Sequence, residues 1–102
     1  MDNIREKISE YNEDAIIFDG IDEAIIGVGE ICGKQPVVVY DRIKCIEILA
    51  QNFQHDSDDE NYSQENALDD ALEWFEFNIA GAYVGENTPI FMDVFKKDNG
   101  CI

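Results

Sequence analysis

Apolar positions recur along this chain at two periods, and they divide it into alternating helical and extended segments. Ile4, Ile8 and Tyr11 stand at i, i+4 and i+7, which predicts an amphipathic helix from Asp2 to about Tyr11 with Asp2 as N-cap. The run AIIFDG (15–20) closes on Asp19-Gly20 and reads as a strand ending in a turn. In EAIIGVGEIC (23–32), β-branched residues with Gly27 and Gly29 between them favour a strand with a bulge or a close backbone approach over a helix. Gly33-Lys34-Gln35 then turns the chain into PVVVYD (36–41), where Pro36 suits the first position of a strand.

Beyond that point the period lengthens. Asp41 is placed to cap a helix through RIKCIEILAQNF, with Ile43, Ile46, Leu49, Ala50 and Phe53 toward the core. A polar break, QHDSDDENY (54–62), precedes a second helix from about Ser63 to Ala80, whose buried face is expected to be Leu68, Ala71, Leu72, Phe75 and Ile79. Gly81 suits its end, Gly85-Glu86-Asn87 a turn, and Pro89–Phe95 a last strand. The expected architecture is α+β, in one domain spanning 1–102. It has about three helices and a small antiparallel sheet of about four strands, in the order α-β-β-β-α-α-β.

Composition sharpens this picture. The chain has 102 residues, 45% of them hydrophobic, yet its formal net charge is -16. That apolar content supports a real core, so the acids belong on its surface. Cys32, Cys45 and Cys101 form no CxxC pair, which suits a reducing compartment; Cys32 and Cys45 lie in apolar runs and are expected in the core. No apolar run approaches the ~20 residues of a membrane span, and MDNIREKISEYNED lacks the apolar stretch of a signal peptide, so a soluble intracellular chain is expected.

Motifs for chemistry fail on spacing. The glycines before Lys34 do not match a phosphate loop, and Gln35 replaces its Ser or Thr. Asp56, Asp58 and Glu60 begin like a calcium loop, but Asn61 and Ala67 stand where that loop needs glycine and a bidentate glutamate. Asp19, Asp22, Glu23 and Asp41 would need the early strands to be neighbours before they could do acid–base work or hold magnesium. The lone histidine, His55, sits among the acids of the polar break, and nucleophilic catalysis has no positive signal in the sequence. No catalytic, cofactor-binding or metal-ligating residue is expected.

The remaining signal is electrostatic. Between Lys44 and Lys96 there is no lysine or arginine, while twelve acids occur there, including Asp56, Asp58, Asp59 and Glu60 in the polar break and Asp69, Asp70, Glu73 and Glu76 on the second long helix. Asp69, Glu73 and Glu76 repeat at i, i+4 and i+7 as an acidic stripe without a compensating cation one turn away. Such a field attracts cationic surfaces and repels nucleic acid and anionic membranes. Carboxylates along a rigid helix can also stand in for a row of phosphates before arginines and lysines.

The blocks FDGIDEAIIGVGEICGKQPVVVYDRIKCIEIL (18–49) and ALEWFEFNIAGAYVGENTPIF (71–91) resemble a family of small acidic uncharacterised proteins of bacteriophages and prophages. The resemblance covers about half the chain and leaves out residues 54–62. It implies a phage context, in which small acidic proteins often inhibit host defence, and it carries over no catalytic residue. The function expected is therefore a non-enzymatic, anti-CRISPR-like inhibitor in the host cell cytoplasm. It would dock a DNA-mimicking surface, made of the eight acids just named, onto the basic groove of a nucleic-acid-processing complex. One rival is a phage housekeeping protein binding a nucleotide or divalent metal through Asp19, Glu23 and Asp41. Another is an assembly subunit held by an apolar patch around Trp74, Tyr83 and Phe91, and an exposed last strand would allow a homodimer.

Self-repulsion at this charge predicts that the melting temperature rises from low to moderate ionic strength. A flat or falling curve in calorimetry would mean that the acids are already neutralised by partners.

Overall fold

The computed structural model describes residues 3–82 and 85–95. Its first helix, α1, runs Ile4–Tyr11 and is capped by Asn3, whose side chain accepts from the Arg5 N–H at 3.0 Å; the expected cap, Asp2, lies outside the described residues. Ile8 is buried against the core, whereas Tyr11, expected on the same face, is 61% exposed.

The run 15–18 is extended but joins no ladder, so the strand expected there does not form. Its backbone finds other partners. Phe18 N–H donates to the Tyr40 hydroxyl at 2.9 Å, and Ile16 N–H to the Asn87 carbonyl at 3.4 Å. A short 3-10 turn, Asp22–Ala24, then leads into β1, Ile25–Gly29. β1 pairs antiparallel with β2, Val37–Asp41, with a bulge between Ile25 and Gly27 as the glycine spacing predicted. The connecting turn closes by Lys34 N–H to the Ile31 carbonyl at 2.9 Å, with Gly33 at φ +82°, the left-handed value that glycine supplies at the third position of a tight turn.

Asp41 ends β2 and caps α2, Arg42–Asp56, its carboxylate accepting from Lys44 N–H at 3.2 Å. Ser63 caps α3, Gln64–Phe75, through Asn66 N–H at 3.1 Å, and a π-helical turn, Glu76–Ala80, continues it. The chain then comes back to the start of β2. There the buried Asn12 donates to the Pro36 carbonyl at 2.8 Å and to the Asn87 side-chain oxygen at 2.9 Å. From that end β3, Ile90–Met92, runs parallel to β2.

Among the described residues the fold is α+β with three α-helices and a three-stranded mixed sheet in the order β1-β2-β3, not the antiparallel sheet of about four strands expected. The tight-turn rule holds for β1 and β2, but β3 follows a helical hairpin and a return segment that reset its direction. Each strand edge remains short, and β3 carries only three residues at its side of the sheet.

The buried side chains form a cluster that includes Val38, Tyr40, Cys45, Ala50, Ala67, Ala71, Phe75 and Ile79. Ala67 and Ala71, not Leu68 and Leu72, meet the core; the two leucines are 37% and 40% exposed, and Ile43 is 51% exposed. Small side chains let α2 and α3 approach closely, so the larger neighbours are displaced to the flanks of the contact. Cys45 is buried as expected, but Cys32 is exposed because it sits in the hairpin turn beyond the end of β1; Cys101 lies outside the described residues.

Burial pushes the Tyr40 phenol up to about 12, from 10.0, and the Cys45 thiol up to about 12, from 9.0. Folding favours both neutral forms, so their contribution is complete below those ordinary values and is lost as the pH rises through about 12. Stability should therefore start to fall near pH 9.0. Cys45→Ala should move that onset toward 10.0, the ordinary value of the phenol. Denaturant titrations across this range test it, and an onset unmoved by the substitution would show that the thiol does not set it.

Candidate interaction surface

The acidic residues are arranged by the α2–α3 hairpin, whose two helices share the most extensive contact between elements in the fold. Its connection is held by its own polar side chains. Ser57 Oγ accepts from Asp59 N–H at 3.2 Å, Asp59 Oδ1 accepts from Asn61 N–H at 2.9 Å, and Asp59 O accepts from Tyr62 N–H at 3.1 Å. Tyr62 then donates its hydroxyl to Asp70 Oδ2 at 2.7 Å, joining the connection to α3. That hydrogen bond to a carboxylate raises the Tyr62 phenol above its ordinary value.

All eight expected contact residues are exposed: Asp56, Asp58, Asp59, Glu60, Asp69, Asp70, Glu73 and Glu76. Asp56 belongs not to the loop but to the last position of α2, where a carboxylate faces the negative end of the helix dipole. Asp69 and Glu73 on α3, with Glu76 at the start of the π-helical turn, form an outer crest opposite Ala67, Ala71 and Phe75. The crest is nevertheless partly neutralised. Arg42, the first residue of α2, pairs with Glu76 at 3.1 Å and with Asp93 at 3.5 Å, and Lys34 pairs with Glu86 at 3.5 Å. Spacing along one helix shows only cations a turn away; Arg42 arrives from the neighbouring helix.

The crest separates two grooves. On one flank Ile43, Ile46, Leu68 and Leu72 line a depression of about 330 Å³ with Arg42, Glu47 and Asp69 at its edges. On the other, α2, the connection and α3 enclose an open groove of about 570 Å³ lined by Phe53, Tyr62, Trp74 and Phe77 together with Asp56, Asp70 and Glu73. Phe53 and Trp74 meet edge to face, with ring centroids 6.4 Å apart. Sequence reasoning passed over this aromatic set, although Asp70, Glu73, Trp74 and Phe77 stand at i, i+3, i+4 and i+7.

The other expected constellations are not assembled. Arg5 reaches both Asp22, at 2.7 Å, and Asp19, at 3.0 Å; its guanidinium holds the Asp22 carboxyl below the usual carboxylate range. Asp41 is committed to its cap and Glu23 is exposed on the 3-10 turn. Among the described residues, no group of three or more His, Cys, Asp and Glu side chains is placed to hold a metal ion. The apolar patch expected around Trp74, Tyr83 and Phe91 does not form as such. Trp74 is 43% exposed, Phe91 packs inside against Tyr40 and Phe75, and Tyr83 lies outside the described residues.

No protein-family model, no curated protein and no solved structure matches the chain. Among the described residues no helix is long and apolar enough to cross a membrane. What the surface can do follows from its own residues: it can hold cations, and it presents aromatic faces beside its carboxylates.

Removing Arg42, which joins α2 to the π-helical turn and to the segment after β3, tests the electrostatic layout. Arg42→Gln should lower stability by about 1 kcal/mol or less, and the difference from the parent chain should shrink with added salt. Paired denaturation curves at low and high salt decide this; a difference that ignores salt would assign the role of Arg42 to packing.

Proposed function

We propose that this chain is a non-enzymatic inhibitor that acts by docking its acidic surface onto a basic, nucleic-acid-binding groove of a host complex. The resemblance of its two blocks to phage proteins favours a defence complex such as a CRISPR effector, met in the host cytoplasm. One observation carries the reading. The carboxylates of Asp58, Glu60, Asp69 and Glu73 are exposed and, among the described residues, have no hydrogen bond or ion pair, while Arg5, Lys34 and Arg42 are each engaged by other acids, Arg42 by Glu76 of the same crest. Carboxylates left free on a hydrogen-bonded connection and a packed helix can meet arginines and lysines without first breaking contacts of their own. Nucleic acid itself would be repelled by the same field.

The test is capture of a host complex by the tagged chain, washed in parallel at low and high salt. The expected result is recovery of a nucleic-acid-processing complex at low salt that is lost at high salt and competed by DNA. Changing Asp58, Glu60, Asp69 and Glu73 together to Lys takes the formal charge from -16 to -8, since each change adds two. That variant should keep its circular dichroism spectrum and lose the partner. Recovery that survives both salt and the four reversals would refute docking by charge and turn attention to apolar association.

A further inference from the structure

The groove beside the acidic crest has a chemistry of its own, distinct from the diffuse field of the surface. Its floor is aromatic: Trp74 and Phe53 in edge-to-face contact, with Tyr62 and the 78%-exposed Phe77 at the sides. Its rim is anionic, with Asp70 and Glu73 rising from α3, and no lysine or arginine lines it. An anion is excluded by that rim. A purely apolar segment would cover the carboxylates without giving them a partner, which is costly. A flat cation satisfies both parts at once, stacking on an aromatic face while its N–H groups reach the acids. Of the two basic side chains, only arginine is planar and forked; the ammonium of lysine is a compact charge that keeps its water.

We propose that this groove is an arginine receptor: it takes the guanidinium of one arginine presented by a basic protein partner, stacked at Trp74 and Phe77 and hydrogen-bonded to Glu73 and Asp70. The site rests on the docking reading above and names the side chain at its centre. The local structure suits the role. The Tyr62 hydroxyl, by bonding Asp70 at 2.7 Å, fixes one wall and aims that carboxylate. Phe77 lies in the π-helical turn, an irregularity that occurs often where a helix serves a site.

Trp74 is the sole tryptophan of the chain, so its fluorescence reports occupancy of this groove and no other. The probes are three capped, otherwise neutral peptides that carry a single arginine, lysine or citrulline, titrated at fixed low salt. The expected order is arginine tightest, lysine weaker by roughly tenfold, and citrulline without effect. Phe77→Ala and Glu73→Gln, both at exposed positions, should each weaken the arginine peptide by roughly tenfold, while the pair Asp58→Lys and Glu60→Lys should leave it within about twofold. Equal response to lysine and arginine, with Phe77→Ala without effect, would overturn the receptor while leaving the charge-driven docking standing. No response of Trp74 to the arginine peptide would also overturn it. Capture that survives the four charge reversals is the separate result that overturns the docking reading itself.

Discussion

The stacking of Tyr40 on Phe91, with ring centroids 5.5 Å apart, is where the separate parts of this fold are joined. Tyr40 comes from the central strand and is fully buried, and Phe91 comes from the parallel edge strand. Phe75, at the end of α3, sets its ring edge against Phe91 at 5.0 Å, and Phe18 from the extended segment stacks on it at 6.2 Å. The Tyr40 hydroxyl then accepts the backbone N–H of Phe18. One cluster thus fixes sheet, helical hairpin and the unpaired segment relative to one another. Burial of these rings is the dominant favourable term available to a small domain whose charge works against compactness.

The division of labour in the hairpin follows from size. Alanines at Ala50, Ala67 and Ala71 bring α2 and α3 together, and the larger side chains that would have separated them are set to either side. On one side they make the aliphatic depression of Ile43, Leu68 and Leu72; on the other, with Phe53 and Tyr62, the aromatic groove. The grooved surface is in this sense a by-product of close helix packing, since side chains excluded from the seam remain at the surface. The acids between the grooves keep such an apolar surface soluble.

Much of this was legible in the chain. The bulged strand at Gly27, the turn at Gly33, the strand at Val37–Asp41 and the cap at Asp41 all follow from local chemistry; each forms within the segment the spacing marked, the two strands being shorter than the expected 23–32 and 36–41. The exposed acids were legible too, because charge has no other place to go. What the pattern missed depends on contacts distant in sequence. The run at Ile16–Phe18 has the composition of a strand but finds its partners in a tyrosine hydroxyl and a loop carbonyl. The buried face of α3 is offset because periodicity cannot distinguish leucine at the core from leucine at its flank. Glu76 loses its independence to an arginine 34 residues away, which no helical repeat reveals.

The parallel pairing of β3 with β2 also has a temporal consequence. The β1–β2 hairpin and the α2–α3 hairpin each bring together residues close in sequence, whereas the register of Val39 with Ile90 closes across both helices. Closing a loop of that length pays its entropy before any contact rewards it, so the last strand is the element that docks late. Until it does, Tyr40 and Phe75 lack the ring they share. The aromatic cluster is therefore complete only once the most distant pairing of the sheet has closed.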